Sequence, residues 1–201
     1  MKLAAWLLIA CACHAAESYP YWIAPCTSQL ARESGCESGD PELAEWALAA
    51  WQRASQGSLA VTKSASEEGA RIRIYWVPGN QRLYGETHPL LVNGKPGAAI
   101  HVRPDLAQLG PDIEATGRKD PLFRHVVVYL TCLHESGHAF GLPHTAQFDD
   151  IMYSFAYGGD IVEYFMRYRR RVESRNQIRQ HSGISASDQQ RLAALFSLPH
   201  R

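Results

Sequence analysis

Hydrophobic positions recur along this chain in several rhythms, and each predicts a different element. From Asp40-Pro41 onward, Leu43, Trp46, Ala47, Ala50, Trp51 and Ala54 fall at helical spacing, with Glu42, Glu45 and Gln52 between them. That is the pattern of an amphipathic helix with one buried face. Asp40 supplies an N-cap, and Pro41 the residue best suited to a first helical position. The tryptophan stripe belongs to packing, not to a ligand platform. Alternation marks strands instead: "RIRIYWV" at 71–77 sets Ile72, Ile74 and Trp76 against polar neighbours, and the runs at 21–24 and 59–63 read the same way. "LLVNGKPGAAIHVRP" places two apolar arms around Asn93-Gly94, a hairpin-like turn whose second arm contains Ile100 and Val102.

A second helix start at Asp120-Pro121 leads into "LFRHVVVYLTCLHESGHAFG", which is apolar nearly all round until its histidines begin. Such a helix is buried under a sheet, so the polar cluster at its end lies at the floor of a cleft. Farther on, Ile161, Phe165, Tyr168 and Val172 predict a helix over about 160–181 with six arginines, whose charge reads as a solvated face. A last helix starts near Ser187, paired with Gln190 as a capping box and carrying Leu192, Leu195 and Phe196 as its apolar stripe. The elements add up to an α+β fold: a twisted mixed sheet, two long helices and a smaller, irregular C-terminal part.

Composition narrows the function classes. A chain of 201 residues, 46% hydrophobic and 20% charged, is long enough for one domain with a sizeable core. Twenty Lys+Arg balance twenty Asp+Glu, so no global field recruits nucleic acid or an anionic membrane, and a monomer that recognises its partner locally is expected. Residues 1–15, "MKLAAWLLIACACHA", have the early lysine, apolar run and small residues of a secretory signal, and are too short for a membrane span. The destination is then extracellular or periplasmic. "LIAC" also resembles a lipobox, which would leave Cys11 lipidated and the chain anchored at the cell envelope. If cleavage follows Ala15, an oxidising destination pairs Cys26 with Cys36. Cys132 is left over as a core thiol, because two residues place it about 200° round the helix from His134.

The chemistry is concentrated in "HESGHAFGLPH", residues 134–144. His134 and His138 are one helical turn apart, so their imidazoles can reach one ion. Glu135 stands beside the first ligand, placed to take a proton from water without binding the metal itself. Gly141 permits the left-handed stop of the helix, Pro143 forbids its continuation, and His144 can swing back as a third ligand. Three nitrogen ligands leave a fourth position open, as a catalytic zinc requires.

This segment resembles the zinc signature of the metzincin clan of metalloendopeptidases. "DIMYSF" at 150–155 is similar to that clan's Met-turn, and tyrosine directly after Met152 is most similar to the matrixin branch. The resemblance implies a zincin-type catalytic domain over 16–201, divided into an N-terminal subdomain (16–141) and a C-terminal one (142–201) with the basic helix inserted. It implies one catalytic zinc on His134, His138 and His144, Glu135 as general base, and Met152 as the apolar base of the site. Ala99, Ile100 and His101 would lie on an edge strand that pairs with an extended protein or peptide substrate, while Phe155 and Tyr157 would line the pocket for the residue after the scissile bond. Departures from the branch are equally plain. No cysteine-switch segment is found, the ligand spacing of a second, structural zinc is not reproduced, and His88 and His101 read as isolated histidines. Asp149-Asp150 is no clear calcium motif. Two rival readings stay open: a zincin whose third ligand is Glu163, and a zinc-stabilised protein-binding module that cuts nothing.

Overall fold

Alternating apolar residues turn one face of each strand inward. The computed structural model, which describes residues 16–80 and 83–197, assembles them into one five-stranded mixed sheet. Its strands are β1 (Glu17–Ile23), β2 (Leu59–Lys63), β3 (Ile72–Trp76), β4 (Gly85–Val92) and β5 (Lys95–Val102), in the order β2-β1-β3-β5-β4. β4 runs antiparallel to β5, and the other neighbours are parallel. Asn93 (φ 51°) and Gly94 (φ 73°) both occupy the left-handed region, as the hairpin turn requires. β1 begins four residues before the run at 21–24, because pairing with β2 extends it through Glu17–Pro20 despite a charge and a proline. The expected signal segment at 1–15 and Cys11 lie outside the described residues.

The helices are α1 (Ser28–Ser34), α2 (Asp40–Ala54), α3 (Pro111–Lys119), α4 (Pro121–Ala139), α5 (Ile161–Arg169), α6 (Arg175–Ile178) and α7 (Ala186–Ser197). α2 and α4 are the two long ones; they pack on each other, and α4 also packs against β4 and β5. Ile72, Ile74, Trp76 and Ile100 from the sheet, Leu43 and Trp51 from α2, and Phe123, Val126 and Leu133 from α4 are buried in one continuous core. Fully burying such side chains contributes about 1.5–3 kcal/mol each, which outweighs the modest propensities of the β-branched run in α4. Trp51 Nε1 donates to the main-chain oxygen of Leu133 at 2.8 Å, fastening α2 to α4 one residue before His134.

Several expectations are corrected. Asp40 is not a simple N-cap: Gly39 precedes the helix, and the wholly buried Asp40 carboxylate takes two bonds of 2.9 Å from the Arg124 guanidinium of α4. The basic stretch at 160–181 is not one helix but α5 and α6, interrupted after Arg169. Its arginines are not merely solvated. Arg169 pairs with Asp120 at 2.7 Å, Arg175 with Glu42 at 2.5 Å, and Arg167 stacks over Tyr164 at 4.3 Å. The capping box of α7 is formed by Ser185 and Asp188: Ser185 Oγ accepts from Asp188 N at 2.9 Å, and Asp188 Oδ2 from Ser185 N at 3.3 Å. Ser187 turns instead to Asp150. Neither α1 nor α3 follows from apolar periodicity, since both are short and largely polar.

Cys26 and Cys36 form a disulfide, which suits an oxidising compartment, and Cys132 is a buried free thiol. Among the described residues no helix is long and apolar enough to cross a membrane.

Close approach of α4 to its neighbours depends on Gly137. A Cβ there would lie 2.3 Å from Met152 Sδ and 3.0 Å from Trp51 Cζ2. Gly137→Ala is therefore expected to destabilise the metal-free protein by about 1–3 kcal/mol through overpacking, read as a lowered midpoint of urea unfolding.

Candidate metal centre and cleft

α4 ends in a six-residue cap that redirects the chain. Leu142 N donates to the Gly137 carbonyl and Gly141 N to that of His138, both at 2.9 Å, with Gly141 at φ 99°. This is the Schellman arrangement, and it sends Pro143 and His144 back across the end of the helix. A short parallel bridge then joins Thr145 to Tyr153, so the segment after His144 lies directly beside the turn that contains Met152.

The three histidines expected at the site come together. His144 Nε2 lies 3.2 Å from His134 Nε2 and 3.1 Å from His138 Nε2. The opposite ring nitrogens are held: His134 Nδ1 donates to the Ile151 carbonyl at 2.7 Å, and His138 Nδ1 to the Leu142 carbonyl at 2.8 Å. In the neutral ring that leaves each Nε2 lone pair free, which is the form that binds metal. Burial pushes the pKa of His134 down to about 4, with its bond to the Ile151 carbonyl opposing the shift, and burial also lowers that of His138. These residues can hold a metal ion, and the donor set suits one.

The turn beneath them is fixed by buried polar groups that no local pattern announces. Asp188 Oδ2 accepts from Ile151 N at 2.6 Å, and the Tyr164 hydroxyl lies 3.0 Å from the Ile151 carbonyl. Asp150 accepts from Ser185 Oγ at 2.6 Å and Thr145 Oγ1 at 3.0 Å. Asp149 pairs with Arg167. Met152 is completely buried, next to Gly137.

Glu135 is only 6% exposed. Burial raises its carboxyl pKa, while the Thr87 hydroxyl and the neighbouring His138 and His144 act to lower it. It faces a cleft of about 880 Å³ between β4, α3, α4 and α5, lined on its apolar side by Leu109, Ile113, Leu130, Phe155, Tyr164 and Phe165.

Other expected residues are placed differently. Phe155 lines the cleft, but Tyr157 is 65% exposed and is not part of its wall. Ala99, Ile100 and His101 are not on an edge strand: β5 is paired on both sides, and β4 is the edge on this side of the cleft. A two-residue hairpin places its first arm outside its second here, which the sequence pattern leaves open. Glu163 is no third ligand; it is exposed and paired with Arg170, whereas His144 joins His134 and His138.

Nor are His88 and His101 isolated. Antiparallel register sets Glu86 opposite His101, and a two-residue strand period puts His88 on the same face as Glu86. Ligand atoms of Glu86, His88 and His101 all lie within 4.8 Å of one another, so this group can also hold a metal ion. Glu86 is meanwhile bound to Arg103 at 2.5 Å, which lowers its pKa and competes for one carboxylate oxygen. Compared with models of known protein families and with curated proteins, the chain matches none of them.

Two separate groups that can hold a metal ion give a direct prediction. Equilibrium dialysis of the metal-free protein against zinc is expected to load both. His138→Ala should abolish loading at the three-histidine group alone, and His88→Ala with His101→Ala at the other alone, each read as the loss of one ion per chain.

Proposed function

We propose that this protein is a secreted zinc-dependent endopeptidase of the metzincin type, closest in its motif to the matrixin branch. The observation that carries the reading is the convergence of three histidine Nε2 atoms beside a buried glutamate at the floor of a cleft. Nitrogens on one tetrahedral zinc at about 2.0–2.1 Å stand roughly 3.3 Å apart, close to the separations found to His144. Zinc, when bound, supplies a Lewis acid for the scissile carbonyl and brings the pKa of water to about 7.

The chain's own residues do the rest. Glu135 takes a proton from the attacking water and returns it to the leaving amine, so one buried carboxyl serves as base and then as acid. β4, unpaired on its outer side among the described residues, offers an edge to an extended substrate, whose main chain can add as a further strand. The apolar wall formed by Leu109, Ile113, Leu130 and Phe155 favours a bulky apolar side chain after the scissile bond. A metal-stabilised binding module would use the same edge but has no need of a carboxylate beside the ligands.

Mass-spectrometric mapping of cuts in a complex peptide mixture, with the zinc-loaded protein run beside Glu135→Ala, tests the reading. Internal cuts before bulky apolar residues are expected with the wild type, at least about 100-fold slower in the variant, the usual contribution of a general base. Identical cutting patterns would sink it in favour of the binding module.

A further inference from the structure

Glu135 is approached from the strand side by two residues of β4. At Gly85 a Cβ would lie 2.6 Å from Glu135 Cγ and 2.8 Å from Oε1, so the carboxylate rests where only a hydrogen atom fits. Two residues on, and therefore on the same face of the strand, Thr87 places Oγ1 2.7 Å from Glu135 Oε2. The same oxygen lies 2.9 Å from the main-chain oxygen of Glu135. A hydroxyl has one proton to donate and two lone pairs with which to accept, so Thr87 cannot donate to both acceptors at once.

We propose that Thr87 is a positioning residue for Glu135, its hydroxyl fixing the direction in which the carboxylate points from α4. With Glu135 ionised, the Thr87 hydroxyl donates to Oε2. No covalent bond is made or broken at the Thr87 oxygen. The carboxylate is thereby held against β4, where Gly85 leaves room for it. Threonine suits this task in a strand, because branching at Cβ restricts χ1 and keeps the hydroxyl on the side of α4. The chemistry of this proposal rests on the endopeptidase reading; its geometry rests on the two hydrogen bonds alone.

Thr87→Val keeps the shape of the side chain and removes the hydroxyl, while Thr87→Ser keeps the hydroxyl. Crystal structures and peptide-cleavage kinetics of the zinc-loaded wild type and both variants test the proposal together. In Thr87→Val the Glu135 carboxylate is expected to turn away from β4, and kcat to fall about 10- to 100-fold, the size of loss that a misplaced catalytic group produces. KM and zinc affinity should change by less than about twofold, since the hydroxyl is engaged with Glu135 and with none of the three histidines. Thr87→Ser should restore both the carboxylate position and most of kcat. A carboxylate that stays against β4 in Thr87→Val, or an unchanged kcat, overturns the proposal. A wild type no more active than Glu135→Ala removes the endopeptidase reading instead, and the crystal structures then decide the positioning by themselves.

Discussion

The abrupt stop of α4 is the constraint on which the site depends. Gly141 adopts φ 99°, a conformation that costs glycine little and a side-chain-bearing residue much. The turn does two jobs. It carries His144 back to the end of the helix, and it aims the Leu142 carbonyl at His138 Nδ1. Ligand supply and ligand orientation thus come from one stretch of backbone. A helix that ran on through these residues would carry His144 away along its axis, since each residue adds about 1.5 Å.

A second peptide group serves the first histidine in the same way. The Ile151 carbonyl accepts from His134 Nδ1, while the Ile151 N–H is held by Asp188 of α7. Asp188 is wholly buried, and its charge is offset by hydrogen bonds from Ile151 and Ser185 and by an ion pair with Arg191. A buried carboxylate without such partners would cost several kcal/mol. The C-terminal helix therefore supports the three-histidine group although it contributes none of that group's nitrogens. Tyr164 joins from α5, so the segment between the two also bears on the same carbonyl.

On the other side of the cleft, β4 combines three features. It is a sheet edge among the described residues, it touches Glu135 through Gly85 and Thr87, and on its opposite face it contributes Glu86 and His88 to the second group that can hold a metal ion. Alternation of side chains along a strand is what allows one strand to serve both faces. The hairpin turn at Asn93-Gly94 sets the register that brings His101 to this group.

What could be read from the chain before folding was local: the long helices, the strands with clean alternation, the hairpin turn, and a histidine and glutamate spacing that needs only helical geometry and one glycine stop. Hydrophobic period and backbone preference act over a few residues, so they leave their mark in the sequence. The Cys26–Cys36 pairing was legible for another reason: cleavage after Ala15 and an oxidising destination leave these two cysteines once Cys132 is assigned to the core. Tertiary structure alone decided that β4 and not β5 forms the edge, that the basic stretch breaks into two helices around its ion pairs, and that Glu86, His88 and His101 converge. It also decided the partners of the site: Thr87 lies 48 residues from Glu135, and Asp188 lies 37 from Ile151. Such contacts follow from the packing of whole elements and from the need of each buried polar group for a partner, and neither is written into any short stretch of sequence.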